Sequence, residues 1–269
     1  EEIKRETRLL AEALKVKGLM NVQLAVQHAY SENPKVYILE VNPRASRTVP
    51  FVCKATGEPL AKIAARVMVG QTMKQQGVKV EVTPKYMCVK EAVFPFTKFL
   101  GVDPVLGPEM RSTGEVMGVG ASFGEALYKA ELGAGDRLPE KGTAFISVRD
   151  VDKARAVSVA THLRDQGFNI VATRGTAALL QHAAIPCRVV NKVSEGRPNV
   201  VDMIKNGDVQ LVIATADESR TQISDARQIR QTALAQLGIV YYTTISGAAA
   251  AVEGQKHAKD VEVRSLQEL

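Results

Sequence analysis

"FNIVATRGTAALL", residues Phe168 to Leu180, joins an apolar run to a Thr-Arg-Gly-Thr turn and then to an alanine- and leucine-rich segment. Six residues rich in Ile, Val and Phe suit a strand covered on both faces, and the segment after the turn has helical composition. Strand, short turn and helix repeat on either side. The runs "TAFISV" (143–148), "CRVVNKV" (187–193), "VQLVIAT" (209–215) and "IVYYTTI" (239–245) alternate with helical segments such as "DKARAVSVATHLRDQG" (152–167) and "RTQISDARQIRQTALAQLG" (220–238). That alternation predicts a doubly wound α/β domain with a mainly parallel sheet.

The turn itself carries chemistry. Thr173, Gly175 and Thr176 stand at a helix N-terminus, where unpaired N–H groups and partial positive charge favour an anion and a glycine lets it approach. A plain N-cap by Thr173 or Thr176 accounts for the same residues. Lys153 begins one helix and Lys192 ends another strand, and in a doubly wound sheet such positions converge at the carboxyl ends of the strands, where ligands bind.

Upstream the pattern changes. "EEIKRETRLLAEALKVKG" gives a helical stripe ended by Gly18; "LMNVQLAV" and "KVYILEV" read as two strands joined by the polar loop "QHAYSENP"; "PLAKIAARVMVGQTM" reads as a helix. The second strand continues as "EVNPRASRT", residues 40–48. Alternation puts Glu40 and Asn42 on one face, with Gln23 available from the neighbouring strand. Carboxylate and amide oxygens are hard ligands suited to Mg²⁺ or Mn²⁺, and Arg44 and Arg47 just beyond are planar donors for phosphate or carboxylate oxygens. Glu40 and Asn42 lie roughly 6.7 Å apart along a strand, so a pair of ions bridged by Glu40 suits them more easily than one ion, unless the side chains converge. An edge strand with one solvent-facing row is the alternative. Residues 77–136 read as irregular, with one helix at "SFGEALYKAELG", Glu91 in a short strand, and Gly118, Gly120 and Gly124 as turn glycines.

The whole chain of 269 residues suggests about two domains. No stretch reads as a signal peptide or a membrane span. Three scattered cysteines without a CxxC fit a reducing compartment better than a disulfide framework or zinc site. A net charge of +6 without basic runs favours small anionic ligands over nucleic acid.

"GLMNVQLAV", "VYILEVNPRASRTVPFVCKATGEPLAKIAARVMVG", "FPFTKFLGVDPVLGPEMRSTGEVMGVG" and "VNKVSEGRPNVVDMIKNG" together resemble the large chain of the carbamoyl-phosphate synthase family. The resemblance runs nearly end to end, and covers only the C-terminal part of that family's longer chains. It implies the end of an ATP-grasp domain over 1–76, a connecting segment over 77–136, and a methylglyoxal-synthase-like regulatory domain over 137–269. In that family the strand glutamine and the Glu-x-Asn pair hold the magnesium or manganese of bound ATP, matching Gln23, Glu40 and Asn42. The arginines that follow match Arg44 and Arg47, at the phosphate and carbamate end of the reaction. The regulatory domain binds UMP or IMP through positions matching Lys153, Thr173, Gly175, Thr176, Lys192 and Thr215. Where the usual pattern reads Asn-Thr-Thr this chain has Ala214, Thr215 and Ala216, a loss of two polar contacts at about fivefold in affinity each. Glu91, Tyr241 and Thr243 match the site of the activator ornithine, although Tyr242 stands where the family has an acid. The loop "QHAYSENP" looks longer than the family's.

The resemblance further implies a cytoplasmic ligase of arginine and pyrimidine biosynthesis, working with the remainder of the large chain and a glutaminase small chain, with no nucleic acid or membrane partner and homo-oligomerisation left open. Without the preceding lid and adenine-binding strands, phosphoryl transfer is not expected from residues 1–269 alone. A lyase of the methylglyoxal-synthase type shares the regulatory fold but needs a Gly-Gly-Asp carboxylate; here the stretch reads "SEGRPNVVDMI", with Asp202 several positions away. A cyclohydrolase domain of the same fold leaves residues 1–136 unexplained.

Overall fold

The computed structural model describes all residues except 79, 80, 100, 101, 103, 108, 216–219, 237 and 269. By contact the chain divides into two compact units, residues 1–85 with 266–268, and residues 86–265.

In the first unit, helix α1 (Glu2–Ala13) precedes the antiparallel pair β1 (Asn21–Gln27) and β2 (Lys35–Asn42), followed by α2 (Val49–Thr56) and α3 (Leu60–Met68). Register pairs Gln23 with Glu40 and Asn21 with Asn42, then shifts, leaving Leu39 without a partner on β1. A bulge of this kind bends a strand and re-aims its side chains. Helix α2 is absent from the sequence reading: its Val-Pro-Phe-Val start has strand composition, but Pro50 in the first turn and left-handed Gly57 just past the end are helix boundary signals.

The second unit opens with the antiparallel pair β3 (Met87–Val93) and β4 (Gly114–Gly120), then α4 (Phe123–Ala134). Gly118 and Gly120 are strand residues and Gly124 lies inside α4, so the expectation of turn glycines is corrected for all three. A Cβ on Gly118 would lie 1.8 Å from the carbonyl oxygen of Ala126, and one on Gly120 would lie 2.7 Å from the Ala126 nitrogen. The backbone of α4 rests directly on the strand, with Ala126 and Ala130 fully buried on the contact face. Ser122 caps this helix through its Oγ and the Glu125 N–H.

The rest is the doubly wound domain. Strands β5 (Gly142–Ser147), β6 (Phe168–Thr173), β7 (Arg188–Val190), β8 (Leu211–Ala214) and β9 (Val240–Tyr242) form a five-stranded, wholly parallel sheet in the order β7-β6-β5-β8-β9. Helices α5 (Lys153–Asp165), α6 (Arg174–His182), α7 (Val200–Lys205), α8 (Arg220–Ala235) and α9 (Ile245–Gln255) connect and cover it. Two apolar cores result. One contains Ile146, Leu163, Leu180 and Ile213 with the α5 and α9 side; the other contains Phe145, Ile204 and Val212 with α7 and α8. Alternation along β9 sends Tyr242 to the first core and Tyr241 to the second. The strand order reverses beside β5, so the crevice at the carboxyl ends of β5, β6 and β8 is where this topology places a ligand. Among the described residues no helix is long and apolar enough to cross a membrane.

The α4–β4 contact gives a direct test. Gly118→Ala should cost about 1–3 kcal/mol through overpacking, whereas Gly114→Ala, where a Cβ meets nothing within 4 Å, should leave stability nearly unchanged; urea unfolding of the two variants checks the difference.

Candidate functional site

At the strand pair, the side chains of Glu40 and Asn42 converge. The amide nitrogen of Asn42 donates to Glu40 Oε1 at 2.5 Å, and Gln23 stands opposite Glu40 in register. Glu40 is exposed and Asn42 half-buried. Turning the Asn42 amide over would bring its oxygen beside the carboxylate, and donors this close can share the coordination sphere of one hard divalent ion. The donor set fits magnesium or manganese. The convergence removes the objection to a single ion that strand spacing alone raised. Arg44 and Arg47 are exposed on the turn after β2, and Arg44 donates to the Ala45 carbonyl at 3.2 Å.

In the parallel domain, Lys153, Thr173, Gly175, Thr176, Lys192 and Thr215 all line one cavity of about 170 Å³ at the carboxyl edge of the sheet. Local hydrogen bonds explain the hydroxyls. Thr176 Oγ1, 1% exposed, accepts the Val148 N–H at 3.2 Å; Thr215 Oγ1 accepts the Arg149 N–H at 3.0 Å; Thr173 and Ser147 share a hydroxyl contact at 3.0 Å. Thr173 is the N-cap of α6 but makes no side-chain capping bond. These contacts tie the β5–α5 loop to α6 and to the end of β8. A hydroxyl that accepts an N–H still has its own proton to give, so Thr176 and Thr215 remain donors. Lys153 Nζ lies 3.9 Å from where a Cβ on Gly175 would be, which places an ammonium beside the start of α6. In this state Lys153 is held by Asp150 at 2.7 Å, and the Lys153 ammonium, with Lys192 behind it, keeps the Asp150 carboxyl below its ordinary range.

Sequence reasoning missed several members of this wall: Ser147, Arg149, Asp150 and Asp225. Ser147 ends β5 and Arg149 lies just beyond it, so the rule that parallel sheets bind ligands at their carboxyl ends could have found them. Asp225 had no such signal, since an acid on an amphipathic helix looks like a solvated face. It accepts from Ser194 Oγ at 2.7 Å and from the Ser194 N–H at 3.3 Å. Ala214 lines the cavity, and Ala216 lies outside the described residues. Asp202, weighed for the lyase, sits in the first turn of α7, accepts from the Asn199 N–H at 3.0 Å, pairs with Arg197, and is not part of the cavity wall.

The third group divides. Glu91 is half-buried on β3, while Tyr241 packs against the second core and Thr243 is exposed. The residue brought towards Glu91 is Tyr242, whose hydroxyl donates to Glu131 Oε1 of α4 at 3.1 Å. Glu131 was not anticipated. It is 8% exposed, and burial pushes its carboxyl up to about 7. Burial also raises Glu91, and Asp136 adds to that shift.

The fold and this cavity define a protein that joins an ATP-binding segment to a methylglyoxal-synthase-like module. Residues 155–243 match the MGS-like domain, and residues 1–76 match the carbamoyl-phosphate synthase L chain, ATP binding domain. Across its full length the chain is 62% identical to the carbamoyl phosphate synthase large chain of Ralstonia nicotianae, 54% to that of Pasteurella multocida and 55% to that of Neisseria meningitidis serogroup B. It spans about a quarter of the length of these curated relatives. The chain belongs to the carbamoyl-phosphate synthase large-chain family.

The hydroxyl ties are testable. Thr176→Val leaves the Val148 N–H buried without an acceptor and should destabilise the protein by about 1–3 kcal/mol; Thr176→Ser, which keeps the acceptor, should cost less, as measured by urea unfolding.

Proposed function

We propose that this chain serves an ATP-dependent carbamoyl-phosphate synthase, supplying metal and nucleotide ligands for carbamate phosphorylation and a regulatory module that binds a nucleoside monophosphate. The ligase arm rests on identity with named relatives along every part of the chain. The regulatory arm rests on one observation: Lys153, Lys192 and the α6 N-terminus, with its threonines, face a single cavity.

In the ligase arm, Gln23, Glu40 and Asn42 would hold Mg²⁺ or Mn²⁺. The ion, when bound, neutralises phosphate charge during transfer. Arg44 and Arg47 orient phosphoryl and carbamate oxygens as planar, permanently charged donors. The remainder of the large chain completes the adenine pocket, and a glutaminase small chain supplies ammonia. The setting is cytoplasmic, in arginine and pyrimidine biosynthesis.

In the regulatory arm, Lys153 and Lys192 are the cations placed for phosphate, while Arg149 on the same wall is paired with Asp152 at 2.6 Å and Asp150 and Asp225 are the wall's carboxylates. A phosphate takes the place of Asp150 on Lys153, with N–H groups of α6 and the Thr173 and Thr176 hydroxyls adding donors. Asp225 repels phosphate but accepts hydroxyls, so it reads the ribose. Val193, Val200 and Ile229 supply the apolar surface for a base. UMP and IMP are the effectors we assign to this cavity. An amine-bearing activator such as ornithine is assigned to Glu91 and the segment Tyr241–Thr243.

Glu40→Ala in the complete synthase should abolish carbamate phosphorylation while leaving glutamine hydrolysis measurable; a normal yield of carbamoyl phosphate would exclude the metal role. Lys192→Ala should weaken UMP or IMP binding roughly tenfold, the scale of one charge-assisted contact, and Asp225→Asn should narrow the preference for ribo- over deoxyribonucleotide. Calorimetry reads both, and an unchanged affinity in Lys192→Ala would remove that lysine from the phosphate site.

A further inference from the structure

Glu131 is used neither by the metal ligands nor by the nucleotide cavity, yet it is among the most buried acids of the chain, at 8% exposure. It lies on the last turns of α4, the helix that packs against β3, β4 and α9. The groups acting on it are the Tyr242 phenol from β9, Glu91 from β3, and Asp136 from the loop after α4, which is more open to solvent than the other two acids. Two of these three are carboxylates and the third is neutral. The cations on the surrounding elements are committed elsewhere. Lys129, on the same helix, is held by Glu125 at 2.6 Å and by the Val119 carbonyl at 3.0 Å. Lys90 of β3 pairs with Glu115 of β4 at 3.1 Å, and on α9 Glu253 pairs with Lys256 at 2.5 Å. His257, just past α9, lies 3.3 Å from the Ser122 hydroxyl.

Among the described residues no cation is seen to pair with Glu131, so its carboxylate is costly to bury beside two acidic neighbours and the neutral acid is not, even though the phenol bond by itself favours the ionised form. We propose that Glu131 carries a proton when the fold is at its tightest, and that losing this proton loosens the seam where the Tyr242 phenol of β9 meets α4. The phenol joins the helix that covers the β3–β4 pair to the edge strand of the parallel sheet. Ionisation therefore puts up to three negative charges across that joint. Its stability becomes a function of proton concentration in a range where ordinary carboxyls are silent.

The sign follows from linkage. The folded value, about 7, lies above the ordinary 4.5. The stabilisation is fully present below about pH 4.5 and is lost as pH rises through about 7.

The test is urea unfolding of the protein and of Glu131→Gln at about pH 5 and about pH 8. The ratio of their unfolding constants should change at least roughly tenfold between the two, the effect of one unit of differential proton binding, with the wild type losing more at high pH. Should the glutamine variant fail to fold, the wild type labelled with ¹³C at its glutamate carboxyls answers by NMR: one carboxyl should titrate near neutrality. Tyr242→Phe, which removes a bond favouring the ionised form, should move that midpoint upward. Parallel stability profiles, or a complete set of glutamate carboxyls all titrating below about pH 6, would overturn the proposal.

Discussion

The cavity at the carboxyl edge of the parallel sheet depends on a few hydrogen bonds from hydroxyls to backbone. Thr176 and Thr215 accept the N–H groups of Val148 and Arg149. These two residues begin the loop that delivers Asp150 and Lys153. Without an acceptor on α6 and another at the end of β8, two N–H groups would be left over and the loop would have no fixed height above the sheet. With them, Lys153 sits beside the α6 N-terminus, and a pocket lined by two lysines and a helix N-terminus forms where strand order reverses. The threonines are thus part of the frame first and donors second.

Much of this was legible from sequence because the domain is repetitive and local. Each parallel strand is a short unbroken apolar run, as "FNIVAT" is, and its helix follows within a few residues. Phe168–Thr173 was therefore read at its observed limits. The convergence of Lys153, Thr173 and Lys192 also follows from topology alone. What failed to show in sequence was non-local. Gly118 and Gly120 look like turn glycines until α4 is seen lying on their strand; the need for glycine comes from the Ala126 backbone, eight and six residues away. Strands β3 and β4 pair across a separation of about twenty residues, which no periodicity signals.

The strand pair teaches a similar lesson at smaller scale. Alternation was enough to put Glu40 and Asn42 on one face, but rise per residue kept them apart on paper. Convergence of the side chains closes the gap to 2.5 Å. Replacement of the family's acid by Tyr242 looked like a plain loss. In three dimensions the phenol reaches back to Glu131, so the carboxyl at that seam comes from another element. Substitutions judged one position at a time miss such exchanges.

The claim on which the regulatory reading stands is that the cavity beyond β5, β6 and β8 holds a nucleotide phosphate. A crystal structure of the protein with UMP or IMP bound tests it most directly. The account predicts phosphate oxygens against the α6 N–H groups and both Lys153 and Lys192, with Lys153 released from Asp150. A nucleotide seated elsewhere, or bound here with its phosphate pointing away from the two lysines, would contradict it.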